Sequence, residues 1–436
     1  MPGQHATALA TAPMHRVQIA AVAMCIALNA LDGFDVLAIS FAAPGIAAEW
    51  GIDRATLGIV LSMELIGMAA GSALIGNVAD RIGRRPIILA CLATMSAGMF
   101  AAALAPGVAA LSAVRFVTGV GIGGMIATTS AMVAEFSSDR RRSLNVVLNI
   151  AGYSTGAILG GLVASALLAD GGEWRRVFQF GGLVSAAALP AAFLLLPESI
   201  ASLIARRPPG ALARVNGTLA RLGHAPLEAL PPPQAGDAKP SIASLFAAGL
   251  GAATTLLTVA YFAQIVLFYY LMKWIPKIVV DFGFEASQAG RVLVAANVGN
   301  LLGALAIGLA TQRFRLRPLV IGAMLAGFAG IGVFGLVPRD LTQLSVVAAI
   351  TAFFINAGVV GMYPILAQTY PASLRASGIG FVIGVGRGGS ALGPVAVGAL
   401  FAAGGSLFTV SLAAGSGALV AAAMLFLLPR ARAPDR

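Results

Sequence analysis

Apolar runs of about 20 residues recur along this chain from near residue 17 to residue 428. Each is long enough to cross a hydrocarbon core of about 30 Å. Inside such a core the backbone has no water to bond, so every crossing segment must be a helix. Twelve spans are expected, at about residues 17–43, 55–78, 86–105, 108–134, 144–169, 176–196, 247–276, 286–310, 318–337, 342–367, 376–402 and 405–428. Composition agrees, because only 10% of the 436 residues are charged where a soluble domain carries about 25%. The expected fold class is an all-α membrane protein of twelve transmembrane helices. The first span is too long, and too polar at Asp32 and Asp35, for a cleaved signal peptide.

The basic residues orient these spans. With a cytoplasmic amino terminus, 19 of the 28 Lys and Arg fall on the cytoplasmic side. Six fall opposite, namely Arg54, Arg175, Arg176, Lys273, Lys277 and Arg339, while Arg115, Arg291 and Arg387 lie within spans. This bias places both termini in the cytoplasm. The net charge of +11 is therefore mostly a topology signal. A nucleic-acid partner would need that charge gathered on one soluble face with aromatics between, which is absent.

The longest connection, residues 197–246, contains Arg206-Arg207-Pro208-Pro209 and Pro231-Pro232-Pro233 and reads as a cytoplasmic linker with one amphipathic helix near 210–223. It separates two six-helix bundles, residues 1–196 and 247–436. The bundles resemble each other: Asp80-Arg81-Ile82-Gly83-Arg84-Arg85-Pro86 aligns with Gln312-Arg313-Phe314-Arg315-Leu316-Arg317-Pro318, and Arg141 with Arg375. An even number of spans per copy makes these parallel repeats, an architecture that binds substrate between its halves near the midplane.

Two acids interrupt span 1, in Leu31-Asp32-Gly33-Phe34-Asp35-Val36. A carboxylate at the centre of a membrane helix costs about 2.5–3.5 kcal/mol on insertion scales, so it is rare without a task. At i, i+3 both side chains project from one face. Burial favours the neutral acid and a nearby arginine the anion, so such a group can load and release a proton. Asp32 or Asp35 is the candidate proton carrier, with Arg115 as counter-charge. The alternative is that Asp32 caps a kink at Gly33 and one aspartate simply pairs with Arg115. Glu64 in span 2 is either part of this site or one half of a structural pair.

Several motifs resemble a known family. Gly76-Asn77-Val78-Ala79-Asp80-Arg81-Ile82-Gly83-Arg84-Arg85 resembles the signature loop of the major facilitator superfamily, and Arg115-Phe116-Val117-Thr118-Gly119-Val120-Gly121-Ile122-Gly123-Gly124 its span-4 motif. Within it, Asp32-Gly33-Phe34-Asp35, Phe268-Tyr269-Tyr270-Leu271-Met272-Lys273-Trp274-Ile275-Pro276 and Gly384-Val385-Gly386-Arg387-Gly388-Gly389 resemble the aromatic acid:proton symporter family. The resemblance covers the whole chain and implies proton-coupled uptake of an organic, aromatic carboxylic acid by alternating access. There are two departures. Gln312 replaces the acid of the second loop, and Ala157 stands where the antiporter motif has proline, which disfavours an exporter.

On that reading Arg387, a planar fork among glycines, clamps the substrate carboxylate. Tyr269, Tyr270 and Trp274 stack on its ring, or else anchor the helix at the interface. Asn297 and Asn356 line the cavity or bond between helices. Gly76, Asp80, Arg81, Gly83, Arg84, Arg85 and Glu135 form a cytoplasmic gate in which Asp80 meets a helix amino terminus or an arginine, with Glu135 and Arg140–Arg142 as partners. The partners are then a small organic acid, protons and the lipid bilayer, and the expected state is a monomer.

Other signals point nowhere. The GxGxxG spellings at Gly119–Gly124 and Gly384–Gly389 follow no strand, so no dinucleotide site is expected. His5, His15 and His224 make no cluster and Cys25 and Cys91 lie within spans, so neither metal, disulfide nor cofactor is expected. No nucleophile–base pair appears, which argues against an enzyme. A carrier for another organic anion such as a dicarboxylate, for a sugar, or a drug-type exporter on the same fold is the second reading, and a non-transporting sensor the third.

Overall fold

A computed structural model describes residues 13–231, 242–246, 249–371 and 374–429. Among these residues every regular element is a helix: α1 (Arg16–Trp50), α2 (Arg54–Ile82), α3 (Arg84–Ala103), α4 (Val108–Phe136), α5 (Asp139–Leu167), α6 (Arg175–Leu195), α7 (Ile200–Arg206), α8 (Ala211–Arg221), α9 (Gly251–Asp281), α10 (Ala286–Ala310), α11 (Leu316–Phe334), α12 (Leu341–Thr369), α13 (Arg375–Ala402) and α14 (Leu407–Leu427), plus two short 3-10 turns. Twelve of them, α1–α6 and α9–α14, are long and apolar enough to cross a membrane. The expected spans are therefore present. Several run past the apolar stretch, because a helix continues until its backbone finds other partners. Helix α1 reaches Trp50 through Pro44, and at 1.5 Å per residue its 35 residues cover about 52 Å.

The expected linker helix is α8, whose Val215, Thr218 and Leu219 are buried on one face. The sequence reading did not include α7. That seven-residue helix starts at Ser199, whose hydroxyl accepts from the Ser202 amide. The Pro231–Pro233 tract lies outside the described residues beyond Pro231.

Two compact units make up the chain. The first comprises Met1–Val36, Gly67–Leu159 and Phe178–Gly236, and the second Leu37–Ile66, Gly160–Val177 and Asp237–Arg436. Their boundaries pass through α1, α2, α5 and α6 as well as through the 197–246 connection. In the second unit, helix ends are tied by charge. Arg175 grips Glu49 with two bonds of 2.6 and 2.7 Å, and Trp174 Nε1 donates to the same carboxylate at 2.8 Å. Arg54 at the start of α2 meets Asp281 at the end of α9 at 2.9 Å. Deeper in, polar side chains stitch helix to helix, which lipid leaves as a main source of specificity. Tyr270 bonds Ser411 (2.7 Å), Gln264 the Ile355 carbonyl (3.1 Å) and Asn356 the Asn300 carbonyl (2.8 Å).

Candidate functional site

In the first unit, α1 carries Asp32 and Asp35 to positions with no solvent exposure. The helix is continuous through Gly33, so that glycine does not mark an interruption. It marks a crossing: a Cβ there would lie 2.0 Å from the Tyr153 carbonyl oxygen of α5. Both carboxylate oxygens of Asp32 are buried without a hydrogen-bond partner among the described residues. The Asp35 carboxylate faces Gly181 of α6, where a Cβ would come within 3.3 Å of Oδ1.

Arg115 is also fully buried. Its Nη2 donates to the Asp35 backbone carbonyl at 2.9 Å, its Nη1 lies 3.3 Å from Met99 Sδ, and its guanidinium sits 5.5 Å from the centre of the Phe178 ring. Helices α1, α3 and α6 thus hold one arginine at the Asp35 backbone. The local folding reason is side-chain reach. A long side chain on α4 can cross to α1 only where its neighbours supply an acceptor and an aromatic face. Asp32, Asp35 and Arg115 lie within one unit, with Arg115 on the Asp35 backbone carbonyl. Glu64 belongs to the other unit.

In the second unit, Glu64 of α2 pairs with Lys273 of α9 at 3.5 Å, and neither side chain is exposed. Lys273, placed by the sequence reading on the far surface, is instead a buried charge inside the span. Tyr269 lies in the field of both Glu64 and Arg387, and Arg387 also acts on Tyr261. The Tyr261 hydroxyl is 3.3 Å from that of Tyr363, and its ring lies against Gly386. Arg387, Tyr269, Tyr261, Tyr363, Glu64 and Lys273 are thereby linked as one electrostatic group.

The other aromatics do not join it. Tyr270 turns to Ser411 of α14. Trp274 is buried, with its ring 5.3 Å from that of Phe401. Neither sits at a water interface. Asn297 bonds the Leu293 carbonyl of its own helix at 2.9 Å, and Asn356 bonds across to α10. Sequence reasoning missed Lys273, Tyr261 and Tyr363. The available signal was a lysine within the apolar run Tyr270-Leu271-Met272-Lys273-Trp274-Ile275.

The expected gate loop lies in the first unit. Gly83, at φ +121°, precedes α3 in a backbone region that side chains rarely adopt. A Cβ there would also come 2.7 Å from Glu198 Oε2 and 2.8 Å from Arg206 Nη2. Glu198 Oε1 accepts the amides of Arg84 (3.0 Å) and Arg85 (3.2 Å), so an acid from after α6 satisfies the positive amino terminus of α3. Arg84 Nη1 meets Glu135 Oε2 at 2.7 Å, and Glu135 also accepts from Ser199 Oγ (2.6 Å) and the Ala201 amide (2.9 Å).

Arg206 donates to the Ile82 carbonyl, Arg85 donates to the Phe193 carbonyl at 2.7 Å, and Arg81 is exposed. Of the run Arg140–Arg142, Arg142 pairs with Asp139 at 3.0 Å, while Glu135 is held by Arg84. The side chain of Asp80 and the surroundings of Gly76 lie outside the described residues. Glu198, Ser199 and Arg206 were not singled out from sequence. Pro197-Glu198-Ser199 immediately after a span was the readable cue.

The chain matches the Major Facilitator Superfamily over residues 25–276 and 257–436. It is 32% identical over 387 residues to the 4-hydroxybenzoate transporter PcaK of Pseudomonas aeruginosa, covering 87% of this chain and 86% of the relative. It is 29% identical over 397 residues to the gallate transporter of Pseudomonas putida, covering 90% and 87%. Among solved structures, the xylose transporter XylE from E. coli in a partially occluded inward-open conformation superposes with a TM-score of 0.76 at 19% identity, over 97% of this chain and 100% of that one. That likeness concerns the fold alone. With twelve candidate membrane helices and a profile match along most of its length, this chain belongs to the Major Facilitator Superfamily, a family of membrane transporters and not of enzymes.

Proposed function

We propose that this protein imports an aromatic carboxylate together with protons by alternating access, across the cytoplasmic membrane of a bacterium with both termini inside. The carrying observation is the Asp32 carboxylate, fully buried, without a hydrogen-bond partner among the described residues, and one turn from Asp35, whose backbone carbonyl accepts from the Arg115 guanidinium. Intramembrane acids in such surroundings serve proton relays. Asp32 takes the proton, while Asp35 and Arg115 set the local charge against which it is loaded and discharged. The substrate class rests on the relatives' names and on Arg387 beside Tyr269 and Tyr261. The guanidinium clamps the carboxylate and the phenol rings stack on the substrate ring.

The Glu135–Arg84 and Glu198–α3 contacts, with Asp80, hold the cytoplasmic gate. The working unit is a monomer of two six-helix repeats, residues 1–196 and 247–436, joined by the 197–246 linker.

The test is uptake of labelled 4-hydroxybenzoate and gallate into proteoliposomes under an imposed pH difference, against protein-free vesicles. Protein-dependent accumulation on the alkaline side is expected, and Arg387→Lys is expected to weaken apparent affinity about tenfold, the cost of exchanging a bidentate clamp for a point charge. Flux indifferent to the pH gradient refutes proton coupling. Unchanged affinity in Arg387→Lys refutes the clamp.

A further inference from the structure

Two phenols meet inside the second unit. The hydroxyls of Tyr261 on α9 and Tyr363 on α12 are 3.3 Å apart, and their rings cross nearly edge to face with centroids 6.2 Å apart. Each hydroxyl carries one proton and can also accept. A contact between two hydroxyls uses one of the two protons and leaves the other over. Burial decides which. Tyr261 is 5% exposed, and among the described residues its hydroxyl meets only Tyr363. A buried donor is costly to leave unmet, so Tyr261 donates. Tyr363 is 41% exposed, and its proton is the spare one.

The open side of this pair is polar. Arg387 on α13 and Tyr269 on α9 are only partly buried, and Tyr269 lies in the field of Arg387 and Tyr363 alike. A guanidinium within a membrane helix faces protein or a water-filled cavity rather than lipid. The Tyr261 ring measures the gap between the two ends of that cavity wall. Its Cδ1 edge lies against Gly386, next in the chain to Arg387, where a Cβ would come within 2.1 Å. Its hydroxyl reaches Tyr363. One phenol ring thus runs from α13 beside Arg387 to the Tyr363 hydroxyl. In a 4-hydroxylated benzoate one ring also separates the acid from the hydroxyl.

We propose that Tyr363 is a specificity-determining residue, donating its spare proton to the ring hydroxyl of a hydroxylated aromatic acid whose carboxylate is held at Arg387, with Tyr261 as its positioning residue. This rests on the aromatic-acid reading and deepens it. The bond from Tyr261 fixes the Tyr363 hydroxyl and polarises its remaining O–H, which makes it the better donor. An unsubstituted benzoate leaves that donor desolvated and without an acceptor, so the site penalises it. No charge is added or removed, so the contact sets selectivity and leaves proton coupling to the acids of α1.

Binding of 4-hydroxybenzoate and of benzoate to the purified full chain, in one buffer, tests this. Wild type is expected to prefer 4-hydroxybenzoate by about tenfold, the worth of one hydrogen bond to a desolvated donor. Tyr363→Phe removes the donor and keeps the ring, and is expected to abolish the preference by weakening 4-hydroxybenzoate. It also leaves the buried Tyr261 hydroxyl unmet. The double variant Tyr261→Phe/Tyr363→Phe strands no donor and is expected to show the same loss of preference with the wild-type elution profile on size exclusion. A double variant that keeps the wild-type preference overturns the role of Tyr363. Equal weakening of both ligands also overturns it, because the lost contact is then to a part that the two acids share. Wild type that binds benzoate as tightly as 4-hydroxybenzoate overturns it while leaving the aromatic-acid reading in place. Wild type that binds none of benzoate, 4-hydroxybenzoate and gallate overturns that reading instead.

Discussion

Asp32→Asn separates what the acid costs from what it does. The side chain is fully buried and neither oxygen meets a donor among the described residues, so the substitution breaks none of their hydrogen bonds and conserves volume. It removes a group whose charged form costs about 2.5–3.5 kcal/mol at a helix centre. It introduces an amide whose two donors cost about 1–3 kcal/mol if unmet. These nearly cancel, and in a chain of this length a residual of about 1 kcal/mol moves an unfolding midpoint by only about 1 °C.

Transport is expected to change far more. One coupled proton converts each unit of pH difference into about 1.36 kcal/mol, a tenfold concentration ratio. An imposed difference of about two units therefore supports accumulation of about 100-fold in wild type, whereas the variant only equilibrates its substrate. The assay is initial uptake and plateau of labelled 4-hydroxybenzoate in proteoliposomes, corrected for protein-free vesicles, with counterflow exchange as the control for intact binding. The expected pattern is a near-unchanged midpoint, preserved counterflow and lost accumulation. Wild-type accumulation by Asp32→Asn refutes Asp32 as the proton carrier. Loss of counterflow together with a large fall in midpoint refutes the reading of Asp32 as unbonded and functional.

Two further perturbations test the frame around the site. Gly33→Ala places a Cβ 2.0 Å from the Tyr153 carbonyl oxygen, so α1 and α5 must move apart by about 1 Å; overpacking of this kind costs about 1–3 kcal/mol. A lowered unfolding midpoint in detergent is expected, and an unchanged one refutes the close crossing. At the start of α2, Asp53 accepts the Thr56 amide at 2.8 Å, and the Thr56 hydrogen bonds hold its carboxyl below the usual range. A folded-state value below the unfolded one stabilises above the ordinary carboxyl range and ceases to do so as pH falls through the lowered value. Asp53→Asn keeps a capping oxygen but does not titrate, so its acid-side melting curve should be flatter than that of wild type; coincident curves refute the contribution.

The sequence showed less of the candidate site than of the fold. The i, i+3 spacing of Asp32 and Asp35 is local, so their shared face was readable, and an arginine inside span 4 could be named as a candidate counter-charge. Lys273 was misassigned to the surface because it lies near a span end in the linear chain. Glu64, ten residues into α2, meets it only because the two helices run antiparallel side by side. Tyr269 and Tyr270 are adjacent and chemically alike. Helical geometry turns successive side chains by about 100°, and only the neighbouring helices decide that one meets the field of Arg387 while the other bonds Ser411.

The amino-acid order alone determined the number and approximate limits of the membrane helices, their parallel repeat, the buried acid pair and the family resemblance. All of these follow from hydropathy, periodicity and motif spelling, which act over a few turns of one helix. Partnership was decided only in three dimensions: Arg115 on the Asp35 carbonyl, Glu64 with Lys273, Glu198 on the amino terminus of α3, and Gly33 against Tyr153. In a medium that satisfies no polar group, each buried charge or exposed amide must take its partner from another helix. Which helix that is depends on how the segments pack, a property that no stretch of sequence carries by itself.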